Sequence, residues 1–331
     1  MSNNSNSNIY LNLDILRFMP PCRTNRDENN RPKTIIINGG ERLFISSQCI
    51  KSCLRSQFGL QMDVDKDKLI EDIKECNKEY KEEDLQKSFY LSESFVKDLI
   101  KSKDKGGDNV VLFMSFKELV ETYKAKKLIW CKKFPAIDIF GRMYASDEDA
   151  KTEAVSQIAP AYSVQDVTVL VDLWVCRNSL TDKKGCTTMG NNELLSSLVY
   201  FNANLNLSEL LNRGYSKETV IYLAKTFTMG MYTLRLNSGV SGTSHNTLPS
   251  YCHITIGNVL PLNHSSLFYT SPDKDHVIEE SISKLKEKIE KDNNALKAIN
   301  SFYGNPTRID SFEFNPDNFT YLQNSLNSML E

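Results

Sequence analysis

Paired cysteines and clustered histidines are missing from this chain. Its eight cysteines, Cys22, Cys49, Cys53, Cys76, Cys131, Cys176, Cys186 and Cys252, are scattered without a CxxC pair. That excludes a thioredoxin-type redox motif and a zinc ribbon. A chain of 331 residues is also far too long for a disulfide scaffold. The cysteines read as reduced thiols, and the expected location is cytoplasmic. The four histidines, His245, His253, His264 and His276, form neither HExxH nor a zinc-finger spacing with cysteine. Neither a metal nor a cofactor is expected. GxSxG, the P-loop and the dinucleotide fingerprint are absent too, which excludes the commonest hydrolase and nucleotide-binding motifs. No run of about 18 apolar residues occurs, so no membrane span is expected. The polar start, Met1 to Asn8, lacks the positive and apolar regions of a secretory signal. Net charge is −2, so there is no global surplus of the kind that marks polyanion binders.

Charge is instead unevenly placed. Between Arg17 and Arg55 stand eight basic residues, Arg17, Arg23, Arg26, Arg31, Lys33, Arg42, Lys51 and Arg55. Only Asp27, Glu28 and Glu41 oppose them. A basic block on an acidic body points to a local anionic partner.

Hydrophobic periodicity orders the elements. Ile9, Leu11, Leu13 and Ile15 alternate with polar residues, which predicts a half-buried strand. A loop is expected from Pro20, then a β-branched run at Thr34–Ile37 and a turn at Asn38-Gly39-Gly40. Ser46 or Ser47 caps a helix reaching about Phe58, with Ile50, Cys53 and Leu54 as its apolar face. From about Leu60 to Lys133 the chain is rich in Lys, Glu and Asp, with apolar residues at helical spacing. This reads as an inserted helical lobe. Ala136–Phe140 reads as a strand. Val167 to Val175 alternates, a turn comes at Thr181–Gly185, and a second long strand runs from about Glu193 to Leu207, making a long hairpin. Ser216 caps a helix with Val220, Ala224, Phe227 and Met231 on one face. A strand at His253–Ile256 and a helix from Val277 to about Ala298 complete the pattern. Without the insertion and the hairpin the order is β, α, β, β, α, β, the ferredoxin-like arrangement.

The helix after Ser46 carries the most chemistry. Gln48, Lys51 and Arg55 stand at i, i+3 and i+7 and share one face. Like charges at i, i+4 cost an isolated helix a few tenths of a kcal/mol, roughly. An anion along that face relieves the cost, and the free N–H groups near Ser46 and Gln48 favour phosphate. Arg26 and Lys33 in the preceding loop extend the basic track. Arg142 can hold a phosphate, and Met143 offers a soft apolar contact to a base. Trp174 lies on the polar side of its alternating strand. Asp27 and Asp138 are the only acids beside these elements, and two isolated carboxylates do not make a metal site.

Several runs resemble one known family. They are Asn25-Arg26-Asp27, then Arg31-Pro32-Lys33, then Gly39-Gly40-Glu41-Arg42-Leu43-Phe44-Ile45-Ser46-Ser47-Gln48 with Lys51 three residues on. Phe140-Gly141-Arg142-Met143, Asn202 to Leu207 and Ser241 to Thr247 come after them in the same order. Together they resemble the backbone subunit of the type I-E CRISPR Cascade complex, the CasC family. The resemblance implies an α+β fold: an RRM-like (ferredoxin-like) palm, inserted helical fingers and a β-hairpin thumb. The palm would span residues 1–58 and 200–331, the fingers with a return strand 59–165, and the thumb 166–199. It implies a non-catalytic protein of antiviral defence that polymerises along a CRISPR guide RNA and presents it to target DNA. Its partners would be the guide RNA, other copies of itself and other Cascade subunits. Arg26, Lys33, Ser46, Gln48, Lys51 and Arg55 would hold the guide backbone. Met143 would wedge near a flipped base, and Trp174, Val175, Cys176 and Asn178 would touch the kink there. The sequence departs from the family at Val175, where an aromatic is usual, and at Gly242–His245, where a Lys is missing. The alternative is a metal-dependent RNase like the type III effector backbone, with Asp27 as its loop aspartate.

Overall fold

The computed structural model describes residues 8–59, 135–141, 152–177, 186–236, 244–273 and 275–331. The chain falls into two compact units, Met1–Gln57 with Val155–Glu331, and Phe58–Ala154. The helices expected between residues 60 and 133 lie outside the described residues.

In chain order the elements are β1 (Tyr10–Cys22), β2 (Thr34–Ile37), β3 (Gly40–Ile45), α1 (Ser47–Gly59), α2 (Pro135–Phe140), β4 (Ser156–Ile158), β5 (Ala161–Ser163) and β6 (Leu170–Arg177). Then come β7 (Cys186–Asn206), α3 (Leu207–Asn212), α4 (Lys217–Tyr232), β8 (Tyr251–Gly257), α5 (Val277–Phe302), β9 (Ile309–Glu313) and α6 (Phe319–Met329). The strands form one open sheet in the order β2-β3-β5-β7-β1-β8-β9, with β4 and β6 also paired to β7. Every pairing is antiparallel. The architecture is a mixed α/β one, an antiparallel sheet flanked by helices.

Alternation along β1 and its neighbours sorts the two faces. Leu11, Leu13 and Ile15 stand opposite Leu205, Ala203 and Phe201 on β7, and opposite Ile256, Ile254 and Cys252 on β8. All are buried. On the other face Leu16, Leu198, Tyr200 and Tyr251 join Tyr162, Val164 and Phe268 beneath Leu285 and Ile289 of α5. Burying a side chain of this kind contributes about 1.5–3 kcal/mol, so the core sits on both sides of the β7-β1-β8 centre.

Three expectations are corrected. Ala136–Phe140 is helical, not extended. Proline fits the first helical turn, and a six-residue run is too short for its period to discriminate. Gly141, at φ +78°, then leaves the helix in the left-handed conformation, where an added Cβ would press on Ala154 N at 3.1 Å. β1 is not half-buried, because Asn12 and Asp14 are as enclosed as their apolar neighbours. Their partners come from far along the chain: Asn202 Nδ2 donates to Asp14 Oδ1 (3.1 Å), as does the Tyr200 hydroxyl. β1 also continues through Pro20 and Pro21 to Cys22, where a loop was expected. The register shifts between Met19 and Cys22, the kind of irregularity that tolerates proline in a strand.

The expected helices α1, α4 and α5 are present. Ser216 caps α4 by accepting from Thr219 N (3.2 Å), and α5 runs past Ala298 to Phe302. The second hairpin strand stops at Asn206, whose side chain accepts from Glu209 N (2.9 Å) and starts α3.

Candidate nucleic-acid interface

β3 ends at Ile45, and Ser46 turns the chain into α1. Its hydroxyl accepts from Cys49 N (3.3 Å) while its carbonyl accepts from Ile50 N (3.1 Å), so Ser46 is the helix cap. Ile50, Cys53 and Leu54 are buried, as the sequence predicts. This turns the opposite face outward, with Gln48 exposed and Lys51 and Arg55 half-buried along it. Burial lowers the Lys51 pKa, and the Arg55 charge lowers it further. Burial lowers that of Arg55 as well. Two cations in partial desolvation on one helix face gain most from a bound anion.

The preceding loop is ordered by Asp27. Its Oδ1 accepts from Asn29 N (2.9 Å) and Arg31 N (2.8 Å), which closes a turn with Asn30 at φ +65°. Arg26 Nη1 donates to Asn30 Oδ1 (2.6 Å), and Arg23 Nη1 donates to the Asn30 carbonyl (3.1 Å). The loop is tied down by Lys33 N to Asn25 O (2.6 Å) and by Asn25 Nδ2 to Phe44 O (3.2 Å). Asn25 thereby fixes the loop to β3 two residues before the Ser46 cap. Lys33 Nζ stands 5.8 Å from the Phe44 ring centre. Both Arg26 and Lys33 are exposed.

Two members of the basic block belong to the interior. Arg17 donates to the carbonyls of Leu234 (2.6 Å), Met231 (3.0 Å) and Tyr232 (2.6 Å) at the end of α4. Burial pulls its pKa down to about 10. Arg42 is 1% exposed. A tally of charges treats every cation as surface, and nothing local marks these two as buried. Arg31 is exposed and pairs with Glu193 on β7 at 3.4 Å.

The hairpin of β6 and β7 carries the remaining candidates. Trp174 stands opposite Gly190, and Val175 opposite Met189. An added Cβ at Gly190 would lie 2.6 Å from Trp174 Cζ2, so the indole rests across a strand position that only glycine permits. Sequence reasoning missed Gly190, although an isolated glycine inside a strand signals close approach. Val171, Leu173 and Met189 are 63%, 67% and 65% exposed on one face, an apolar strip with no cover from the described residues. Cys176 is placed by its backbone opposite Thr188. Arg142, Met143 and Asn178 lie outside the described residues. Among the described residues no group of three or more His, Cys, Asp or Glu side chains could hold a metal ion, and no helix is long and apolar enough to cross a membrane.

No curated protein matches the chain. Solved chains similar to it in fold include two from CRISPR complexes. One, described as "CRISPR RNA-guided surveillance complex, pre-nicking", is 18% identical with a TM-score of 0.65, over 96% of this chain and 100% of that one. The other, described as "CRISPR RNA-guided surveillance complex", is 16% identical with a TM-score of 0.60, over 97% and 98%. A family model described as "CT1975-like protein" matches residues 11–73 and 61–312.

Proposed function

The chain belongs to the family of CT1975-like proteins, and from that premise we propose that it is a non-catalytic backbone subunit of a CRISPR surveillance complex, polymerising along guide RNA and presenting it to target DNA. The observation that carries this reading is the Gln48–Lys51–Arg55 face of α1, set at the end of the strand that also anchors the Arg26–Lys33 loop. Such a track suits a phosphate backbone, which positions a nucleic acid without reading its sequence. The two fold neighbours, both described as CRISPR RNA-guided surveillance complexes, and the resemblance of the sequence motifs to the CasC family support the reading.

In it, the sheet is an RRM-like palm and the β6–β7 hairpin is the thumb. Arg26, Lys33, Gln48, Lys51 and Arg55 grip guide phosphates, and Ser46 contributes by ordering the helix start. Arg142 and Met143 approach the flipped base, with Trp174, Val175, Cys176 and Asn178 at the kink. The apolar strip of Val171, Leu173 and Met189 meets the next copy along the guide. A head-to-tail contact of this kind that does not close generates a helical filament. Other subunits of the complex would bind its ends and flanks, in the cytoplasm, and no step requires a cofactor.

Mass measurement on RNAs of increasing length tests the proposal. Copy number should rise in steps with length and stay at one without RNA. One copy per RNA on long strands, even with the other subunits of the complex present, would overturn it.

A further inference from the structure

The hairpin leaves the sheet at a place where β7 is loosely held on both edges. On one edge Val164 N donates to Leu198 O (2.9 Å), and pairing resumes only at Leu170 opposite Leu194. Residues 165–169 there face residues 195–197, so one strand carries two residues more than the other. On the opposite edge β1 shifts register between Met19, opposite Ser197, and Cys22, opposite Leu195. Bulges of this sort bend a strand and re-aim the chain beyond them. A two-stranded ribbon past such a point has little stiffness of its own.

One set of contacts fixes the bulge from the side, and it comes from β3. Leu43 N donates to Ser163 Oγ (3.1 Å), and Val167 N donates to Glu41 O (2.8 Å). Between these two bonds lies Arg42. Its Nε stands 3.0 Å from Asp166 Oδ1, its Nη1 donates to Ser163 O (3.3 Å), and its Nη2 donates to Ser271 Oγ (3.0 Å). The Arg42 side chain is only 2% exposed, whereas that of Asp166 is 59% exposed. Burying a charge is costly unless a partner offsets it, and Asp166, although open to solvent, supplies the opposite charge beside the Arg42 guanidinium. The path it takes crosses Gly40, where an added Cβ would lie 1.9 Å from Asp166 Oδ1. Glycine at 40 therefore serves the reach of Asp166, while the preceding turn takes its positive φ at Asn38 and Gly39.

We infer that Arg42 and Asp166 are positioning residues that lock the 165–169 bulge and so set the direction in which the β6–β7 hairpin leaves the sheet, with Gly40 leaving the space Asp166 crosses. Arg42 is thus not a phosphate ligand. The consequence for assembly rests on the function proposed above; the consequence for the hairpin's direction does not.

The test uses the full chain, with spin labels carried by unnatural amino acids at Met189 on the hairpin and Tyr222 on α4, both exposed. Wild type should give one narrow distance distribution. Asp166→Ala removes the carboxylate from an exposed position, and Gly40→Ala keeps both charges but bars the path. Each should broaden the distribution while the thermal unfolding of the whole protein stays sharp. The double variant should be no broader than Asp166→Ala, because the added methyl then meets no carboxylate, and such non-additivity is the mark of a shared partner. Unchanged distributions in both single variants would overturn the inference. In RNA assembly, Asp166→Ala should keep wild-type affinity and salt dependence on an RNA long enough for one copy, and lose about tenfold in cooperativity on long RNA. A salt slope reduced by about 0.7 in Arg42→Gln, the loss of one phosphate contact, would also overturn it. Broadened distances in a protein whose wild type never assembles on RNA would uphold the pin and sink the proposed function instead.

Discussion

His264 Nδ1 lies 3.0 Å from Asp14 Oδ1, inside the sheet face that α5 covers, and its Nε2 lies 3.4 Å from Asp292 of α5 on the other side. One imidazole thus joins the central strand to the covering helix. The Tyr200 hydroxyl donates to the same Asp14 oxygen and accepts from His264 N (3.0 Å). Next to Asp14 in the sheet stands His253, which contacts the Tyr251 hydroxyl (2.9 Å) and Ser311 Oγ (2.7 Å).

These two histidines should bound stability in pH from opposite sides. Burial alone would lower the His264 pKa, but the hydrogen bond and charge of Asp14, helped by Asp292 and opposed by Lys288, raise it above its ordinary value of 6.5. A raised histidine stabilises the fold fully below the unfolded pKa and loses that contribution as pH climbs through the folded one. His253 is lowered to about 4, chiefly by burial. Its contribution is present above 6.5 and fades as pH falls toward 4. Thermal unfolding against pH should therefore decline on both sides of a neutral-to-mildly-acidic optimum. His264→Gln should flatten the alkaline limb at a cost of about 3–5 kcal/mol, as for a broken buried pair. His253→Gln should flatten the acid limb. An alkaline limb unchanged in His264→Gln would remove the proton from the account.

Replacing Lys51 and Arg55 together with Ala should weaken binding to unrelated RNA sequences about equally. Each lost contact to single-stranded RNA should reduce the salt slope by about 0.7. Ile50 and Leu54, which hold the helix down, are untouched by the change. Titrations at several salt concentrations read the slope directly. An identical slope in a folded variant would mean that the stripe only meets water.

Asp27 gives a clean separation of the two readings of its loop. Its Oδ1 already accepts two backbone N–H groups. Asp27→Ala should loosen the turn and cost about 0.5–1.5 kcal/mol, the net worth of a hydrogen bond whose donor water can reach. RNA should remain intact in Mg²⁺ or Mn²⁺ with either protein. Cleavage by wild type that disappears in Asp27→Ala would establish a metal-dependent RNase.

Legibility in the sequence depends on the range over which each feature is decided. The α1 face could be read because Ile50, Cys53 and Leu54 repeat at helical spacing within two turns. Ser216 and Val277 mark helix starts for the same local reason. Buried Asn12 and Asp14 could not be read, because their partners Asn202 and His264 lie some 190 and 250 positions away. Arg17 and Arg42 failed likewise, since only tertiary contacts distinguish an interior arginine from a surface one. β9 is short, whereas α6 carried local cues that went unread, the capping box of Asn315 with Asn318 just before it and Leu322, Leu326 and Met329 at helical spacing along it.

The hairpin yields the last prediction. Its second strand does not end at the hairpin's base but runs on into the core, where Leu195, Leu198 and Val199 are buried. A deletion that reaches those residues would remove the sheet's central strand. Deleting only residues 171–193 and closing the gap with a short Gly/Ser linker leaves Leu170 opposite Leu194, with the β1–β7 pairing intact. The strip lost, Val171, Leu173, Val175 and Met189, is exposed, so unfolding temperature should stay within a few degrees of wild type. Affinity for an RNA that holds one copy should fall, because Trp174, Val175, Cys176 and Asn178 leave with the hairpin, but should not vanish, because Arg26, Lys33, Lys51 and Arg55 remain. Assembly on long RNA should lose its cooperativity, since the copy-to-copy contact is gone. Light scattering on a ladder of RNA lengths measures both effects at once. Should the shortened protein still load long RNA cooperatively, the contact between copies lies elsewhere and the apolar strip needs another partner.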